Sequence, residues 1–298
     1  MTRALDVLAP GPFTTVQDLG RPGFARLGIG RAGAADRASL RLANRLVGNP
    51  DDAAGLEATY GGLAVRAVGE LVVALAGAPC PVAGARGRGG MNVALHLADG
   101  DEVHLGSPSS GLRTYLSVRG GVAVEPVLGS RSRDVLAGLG PDPVARGGRL
   151  PVGVRAPFEP ATVQAPVAAP AAGVVDLRVV LGPREDWFTS HSVAAFLAAT
   201  WHVSEESNRV GARLDGPTLV GTRRDELPSE GMVPGAVQVP PSGRPVLMLP
   251  DAPVTGGYPV LAVVTDRDLD AAGQLRPGQE VRFRPVGGHD VGPGRLRP

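Results

Sequence analysis

The chain has 298 residues, of which 43% are hydrophobic and 20% charged, with a formal net charge of +1. That balance belongs to a globular protein long enough for two domains, and it supplies no basic footprint for nucleic acid or a membrane surface. All 30 residues counted as lysine or arginine are arginine, which excludes a phosphate-loop lysine, a Schiff-base lysine and a biotinyl-lysine on this chain, while one cysteine excludes an internal disulfide and any cysteine-cluster metal site.

Residues 4–8 read as a strand running into Pro10-Gly11-Pro12. Residues 14–23, with Gly28, Gly30 and Gly33 beyond, form a polar, turn-rich stretch that either binds an anion through Arg21 and exposed amides or wraps the end of a barrel. Gly28-Ile-Gly-Arg-Ala-Gly33 has the spacing of a dinucleotide fingerprint but lacks the strand, turn and long helix that give that spacing meaning. Apolar residues Leu40, Ala43, Leu46 and Val47 recur with helical spacing over 38–46, with Asp36 or Ser39 as cap and Gly48-Asn49-Pro50 as stop.

From Leu56 the pattern changes to short apolar runs at 63–68, 71–76, 92–97, 102–105 and 114–118, broken by glycine and Asp-Gly turns. Short strands without intervening helices predict a largely antiparallel sheet closed into a barrel. Cys80, following one of these runs, reads as a buried, inert thiol. Residues 156–173, rich in alanine and proline, read as a semi-rigid linker, and a strand at 174–181 followed by a helix over 192–199 opens a second unit. The helix over 192–199 is given Asp186 or Thr189 as its cap. The expected domains are thus 1–155 and 174–298. Three weak internal echoes point to duplication: Leu97 to Leu105 against Leu275 to Phe283, Ala78-Pro79 against Ala252-Pro253, and Glu57 against Glu230. With no apolar run of signal-peptide or membrane-spanning length, the cytoplasm is the expected location.

Histidines 96, 104, 191, 202 and 289 have no metal-ligand spacing, and no Gly-x-Ser-x-Gly elbow is present. Arg209 and Arg213 lie four apart; in an extended chain both point to one side, suited to a carboxylate or phosphate, while ion pairs with Glu205, Glu206 or Asp215 are the structural alternative. The ribbon from Ser229 to Pro259 concentrates proline and glycine around Glu230, Gln238, Asp251, Thr255 and Tyr258, so isolated polar groups ride on stiff backbone. Its Thr255-Gly-Gly-Tyr-Pro259 tail allows close backbone approach to a ligand.

Thr15-Val-Gln-Asp-Leu-Gly-Arg-Pro-Gly23, Asn44-Arg-Leu-Val-Gly-Asn49, Glu57, Tyr115-Leu-Ser-Val-Arg-Gly-Gly121, Leu128-Gly-Ser130, Ser207-Asn-Arg-Val-Gly211, Ser229-Glu-Gly231 and Gly235-Ala-Val-Gln-Val-Pro-Pro241 through Gly256-Gly-Tyr-Pro259 resemble the biotin-dependent carboxyltransferase family, on the branch that holds the 5-oxoprolinase C subunits and the second subunits of allophanate hydrolase. The resemblance implies a mainly β protein of two cyclophilin-like β-barrel units with short helices. It implies ATP-dependent opening of 5-oxoproline to glutamate together with the A and B subunits of 5-oxoprolinase, with ATP held here or on a partner and no biotin attached to this chain. On residue type, Glu230, Asp251 and Tyr258 are the candidate catalytic groups. Arg209, Arg213, Gln238 and Thr255 are candidate substrate contacts, and Asp18 and Arg21 are expected to close the site. Carboxyl transfer from biotin on another chain, and sequestration of a kinase-inhibitor partner, are the alternatives.

Overall fold

A computed structural model describes residues 3–84, 90–154, 159–160, 162–223 and 226–286, and His289 lies outside them. The chain divides into two compact units, residues 1–172 and 173–298.

The first unit contains β1 (Ala4–Pro10), β2 (Phe13–Gln17), α1 (Arg37–Leu46), β3 (Gly55–Thr59), β4 (Leu63–Val68), β5 (Leu71–Gly77), β6 (Val82–Ala83), β7 (Ala94–Leu97), β8 (Glu102–Leu105), β9 (Arg113–Val118) and β10 (Arg149–Pro151). Its strands form two five-stranded sheets, ordered β10-β1-β4-β8-β6 and β2-β3-β9-β5-β7, rather than the single closed barrel expected. Leu5, Leu63 and Val65 of the first sheet share one core with Leu56, Val73 and Leu116 of the second. Strand β9 is buried at every position. Its Leu116 faces that core, while Tyr115 packs with Leu40 and Ala43 of α1. Between the two cap candidates, Asp36 caps α1, accepting from the Ser39 amide at 2.9 Å.

Two expectations for this unit are corrected. Residues 14–17, within the stretch 14–23 read as turn-rich, belong instead to β2, paired with β3, and Thr14, Thr15 and Gln17 are buried there. Polar side chains hid a strand whose burial is offset by hydrogen bonds such as Thr14 Oγ1 to the Pro10 carbonyl at 2.6 Å. Part of the expected linker instead lies against the first unit: the Ala94 amide bonds the Val163 carbonyl at 2.7 Å, and the Ala165 amide bonds that of Asn92 at 3.0 Å. The backbone just before β7 supplies an unpaired edge, and an extended alanine-proline segment satisfies it without needing a side chain. Residues 156–158 and 161 of that segment lie outside the described residues.

The second unit comprises β11 (Val175–Leu181), α2 (Ser190–Ala198), β12 (Trp201–Val203), β13 (Gly211–Asp215), β14 (Glu230–Gly231), β15 (Ala236–Gln238), β16 (Val246–Met248), β17 (Thr255–Gly256), β18 (Val260–Val264), α3 (Leu269–Ala272) and β19 (Glu280–Pro285). Here a seven-stranded barrel closes in the order β11-β18-β15-β16-β13-β12-β19. A ring with an odd number of strands cannot alternate direction throughout, and the seam falls between β11 and β19, which are parallel. Alternation is clean in β11, where Val175, Leu177 and Val179 are buried between exposed neighbours. Phe196, Trp201 and Phe283 fill the barrel, with the Phe196 and Phe283 rings stacked at 4.5 Å. Thr189, of the two caps proposed, starts α2 through the Ser192 amide at 3.1 Å. β14 and β17 form a separate two-stranded ladder.

The duplication echo is matched in part. A helix followed by strands occurs in each unit. Glu57, however, is buried in the second of the two sheets, whereas Glu230 lies half-buried in the short β14.

Candidate functional site

Arg209 precedes β13 in a turn made by its own neighbour: Asn208 Oδ1 accepts the amides of Val210 and Gly211 at 2.8 and 3.2 Å. The turn breaks the period-two pattern that would place Arg209 beside Arg213. Arg213 instead points outward from β13, 3.6 Å from Glu206, while Arg209 points inward. The shared arginine clamp anticipated from spacing is therefore corrected to one buried and one exposed side chain. Asp251 follows β16 and Pro250, and its amide bonds the Arg209 carbonyl at 3.2 Å. Its carboxylate takes Arg209 in a two-point fork, Nε to Oδ2 at 2.9 Å and Nη2 to Oδ1 at 3.0 Å, with both side chains at most 3% exposed. Arg209 is thus engaged with Asp251 rather than open to a substrate carboxylate.

Glu230 is engaged by Arg184, whose Nη2 meets Oε1 and whose Nε lies 3.1 Å from Oε2, in a pair that solvent still reaches. Its strand pairs with β17, placing Glu230 across from Gly256 and Gly231 across from Thr255, and Thr255 is exposed. Gln238, buried in β15, donates Nε2 to the Tyr258 backbone carbonyl at 2.9 Å, so it orients the ribbon instead of facing a ligand. A Cβ on Gly256 would sit 2.7 Å from that Nε2 and 2.7 Å from Met232 Cε, which explains the glycine.

The ribbon's end opens on a cavity of about 590 Å³. Val239, Pro240, Pro241, Gly257, Tyr258 and Pro259 form one side, and Trp187, Phe188, Leu219, Gly221, Arg223, Glu226 and Leu227 complete the lining. Tyr258 is 47% exposed. The Arg223 guanidinium lies 5.4 Å over the Trp187 ring, with a loose 3.4 Å contact to Asp186. Trp187 and Arg223 were not picked out from sequence. One of only two tryptophans, close to a turn, was the available signal.

In the first unit, Asp18 Oδ1 accepts the Gly20 amide at 2.8 Å and the Ser130 and Ser132 hydroxyls at 2.6 and 2.5 Å, and Oδ2 accepts the Arg131 amide at 2.6 Å. Arg21, only 1% exposed, donates to the Ser132 and Val127 carbonyls. Both residues lock the loop at 127–132 onto the segment after β2, a scaffolding position where sequence suggested ligand contact. A second buried network sits beside it: Tyr115 Oη donates to Glu57 Oε2 at 2.7 Å and accepts the Asp36 amide at 2.8 Å, and Arg113 Nε lies 3.3 Å from Glu57 Oε1. Burial, with the Glu57 and Asp36 charges, holds the Tyr115 phenol well above its usual range, so it serves as a neutral donor. Cys80, expected to be buried, is half-buried; what burial it has pushes its thiol up, against a hydrogen bond with Thr114.

This barrel, with its accompanying sheets, is that of a carboxyltransferase domain, and the chain belongs to that family: the carboxyltransferase domain, subdomain A and B, matches residues 27–285. The chain is 38% identical to the C subunit of 5-oxoprolinase from Escherichia coli (strain K12) across 94% of its own length and 90% of that protein's. The corresponding subunit of Haemophilus influenzae is 30% identical across 95% and 91%. Urea amidolyase of Lachancea kluyveri is 32% identical across 95% of this chain but only 17% of its own. Among solved structures, TTHA0988 superposes with a TM-score of 0.86 at 36% identity, covering 95% of this chain and 56% of that one. Kluyveromyces lactis urea carboxylase superposes with a TM-score of 0.88 at 31% identity, covering 95% and 27%.

Proposed function

We propose that this chain is the C subunit of an ATP-dependent 5-oxoprolinase, acting in the cytoplasm with the A and B subunits of that enzyme. The carrying observation is the 38% identity to a 5-oxoprolinase C subunit that runs nearly end to end in both proteins. The reaction adds water to the lactam carbonyl, breaks the ring C–N bond, and leaves the nitrogen as the amine of glutamate. ATP drives it by passing its terminal phosphoryl group, finally, to a second water. On this chain the ribbon from Ser229 to Pro259 carries the working groups. Tyr258 lines the cavity, Glu230 is a carboxylate still within reach of solvent, and the Arg209–Asp251 pair with Gln238 holds the backbone between them.

The second reading is a carboxyltransferase that uses biotin carried by another chain, favoured by the match of 95% of this chain to urea amidolyase. Without a lysine, this chain has no residue on which biotin could be carried. ATP-dependent glutamate release by all three proteins together, with each omitted in turn, separates the readings. Release that requires this chain supports the first. No release from 5-oxoproline, with urea-dependent ATP use once a biotin carboxylase is supplied, establishes the second.

A further inference from the structure

We infer that the cavity at the ribbon's end is an adenine-nucleotide site, and this rests on the reading that the complex consumes ATP. Its lining includes open flat rings, the Tyr258 phenol at 47% exposure and the pyrrolidines of Pro240, Pro241 and Pro259, beside a Trp187 indole that already carries Arg223 on its ring. Flat, exposed ring faces stack heteroaromatic bases without demanding a particular sequence of hydrogen bonds. At about 590 Å³ the space is of the size that encloses a ligand with a ring system and a tail, well beyond a single five-membered lactam.

The polar groups divide as such a ligand requires. Arg223 stacks on Trp187 and has only a loose contact with Asp186; both partners of that contact are more than half exposed, so the guanidinium edge is accessible to an anionic phosphoryl group. Glu226 is an acceptor on the same lining, suited to an exocyclic amine. The rigid side is pre-set, because Gln238 anchors the Tyr258 carbonyl and prolines flank the tail. Such a site holds the nucleotide by stacking and one guanidinium, using no lysine.

Tryptophan fluorescence tests this on the full chain and on the assembled complex, because Trp201 is buried in the barrel and Trp187 alone lines the cavity. ATP, added as the probe, is expected to change the emission saturably. Arg223→Ala and Tyr258→Ala should each weaken the apparent affinity roughly tenfold, the scale of one lost stacking or charge-assisted contact. Trp187→Phe should remove the signal while equilibrium dialysis still detects bound ATP. No saturable binding to either the chain or the complex, or unchanged affinity in both Arg223→Ala and Tyr258→Ala, overturns the assignment. So does a response to 5-oxoproline alone and not to ATP. Failure of the broader reading is distinguishable: ATP bound at this cavity by a complex that releases no glutamate leaves the site standing and removes the substrate.

Discussion

At the residue scale, the two carboxylates of the ribbon differ in how completely their partners enclose them. Removing Asp251 would leave the Arg209 guanidinium buried without its fork, and breaking a buried pair from one side costs about 3–5 kcal/mol. Removing Glu230 breaks a pair that water reaches, and such solvent-screened pairs contribute little. Asp251→Ala should therefore shift the urea midpoint far more than Glu230→Ala, and Asp251→Leu combined with Arg209→Met should recover most of the loss. Equal shifts for the two single variants would show that the buried fork does not carry stability.

Asp268 gives a pH dependence at the same scale. Burial raises its pKa, but hydrogen bonds from the Arg178 side chain and amide, with the charges of Arg178 and Arg267, outweigh burial and leave the carboxyl below its ordinary 3.8. A carboxyl depressed on folding contributes stability that is complete above the unfolded value and is lost as pH falls through the folded one. The wild-type denaturation midpoint should then fall below about pH 4, and Asp268→Asn should flatten that acid limb. Parallel acid limbs in the two proteins would refute the linkage.

At the element scale, the β14–β17 ladder has only two residues in each strand, too little to persist without the barrel beneath it. Its geometry rests on the absence of a side chain at Gly256, where a Cβ would press on Gln238 and Met232. Gly256→Ala should cost about 1–3 kcal/mol as those side chains are displaced. It should also weaken the ATP-induced fluorescence change, since Gln238 would release the Tyr258 carbonyl. Gly231→Ala, in the facing strand, meets nothing within 4 Å and should stay within about 0.5 kcal/mol of wild type by the same denaturation measurement. If both alanines cost alike, ladder strain and not the Gln238 contact governs this ribbon.

At the scale of the whole molecule, local rules and global closure made separate contributions. The helices at Arg37–Leu46 and Ser190–Ala198, each with its cap narrowed to two candidates, and strands such as β11 were legible because each depends on neighbours within a few positions. Strand β2 was missed for the converse reason: it is recognised by its pairing with β3 and by the Gln17 bond to the Arg133 carbonyl, 116 positions away, which only the folded sheet brings near. Barrel closure in the second unit depends on β11 meeting β19, a hundred residues later, so no window of sequence contains it.

The amino-acid sequence alone determined the strand-rich class, the ribbon that ends beside the cavity, and the chemistry this chain cannot perform without lysine. Tertiary structure decided which charged groups are already matched. Arg209 takes Asp251 from 42 positions away, Arg184 takes Glu230 from 46, and Arg223 settles on Trp187. Residue type states what a side chain is able to bind, whereas burial and the position of the nearest opposite charge determine what it does bind.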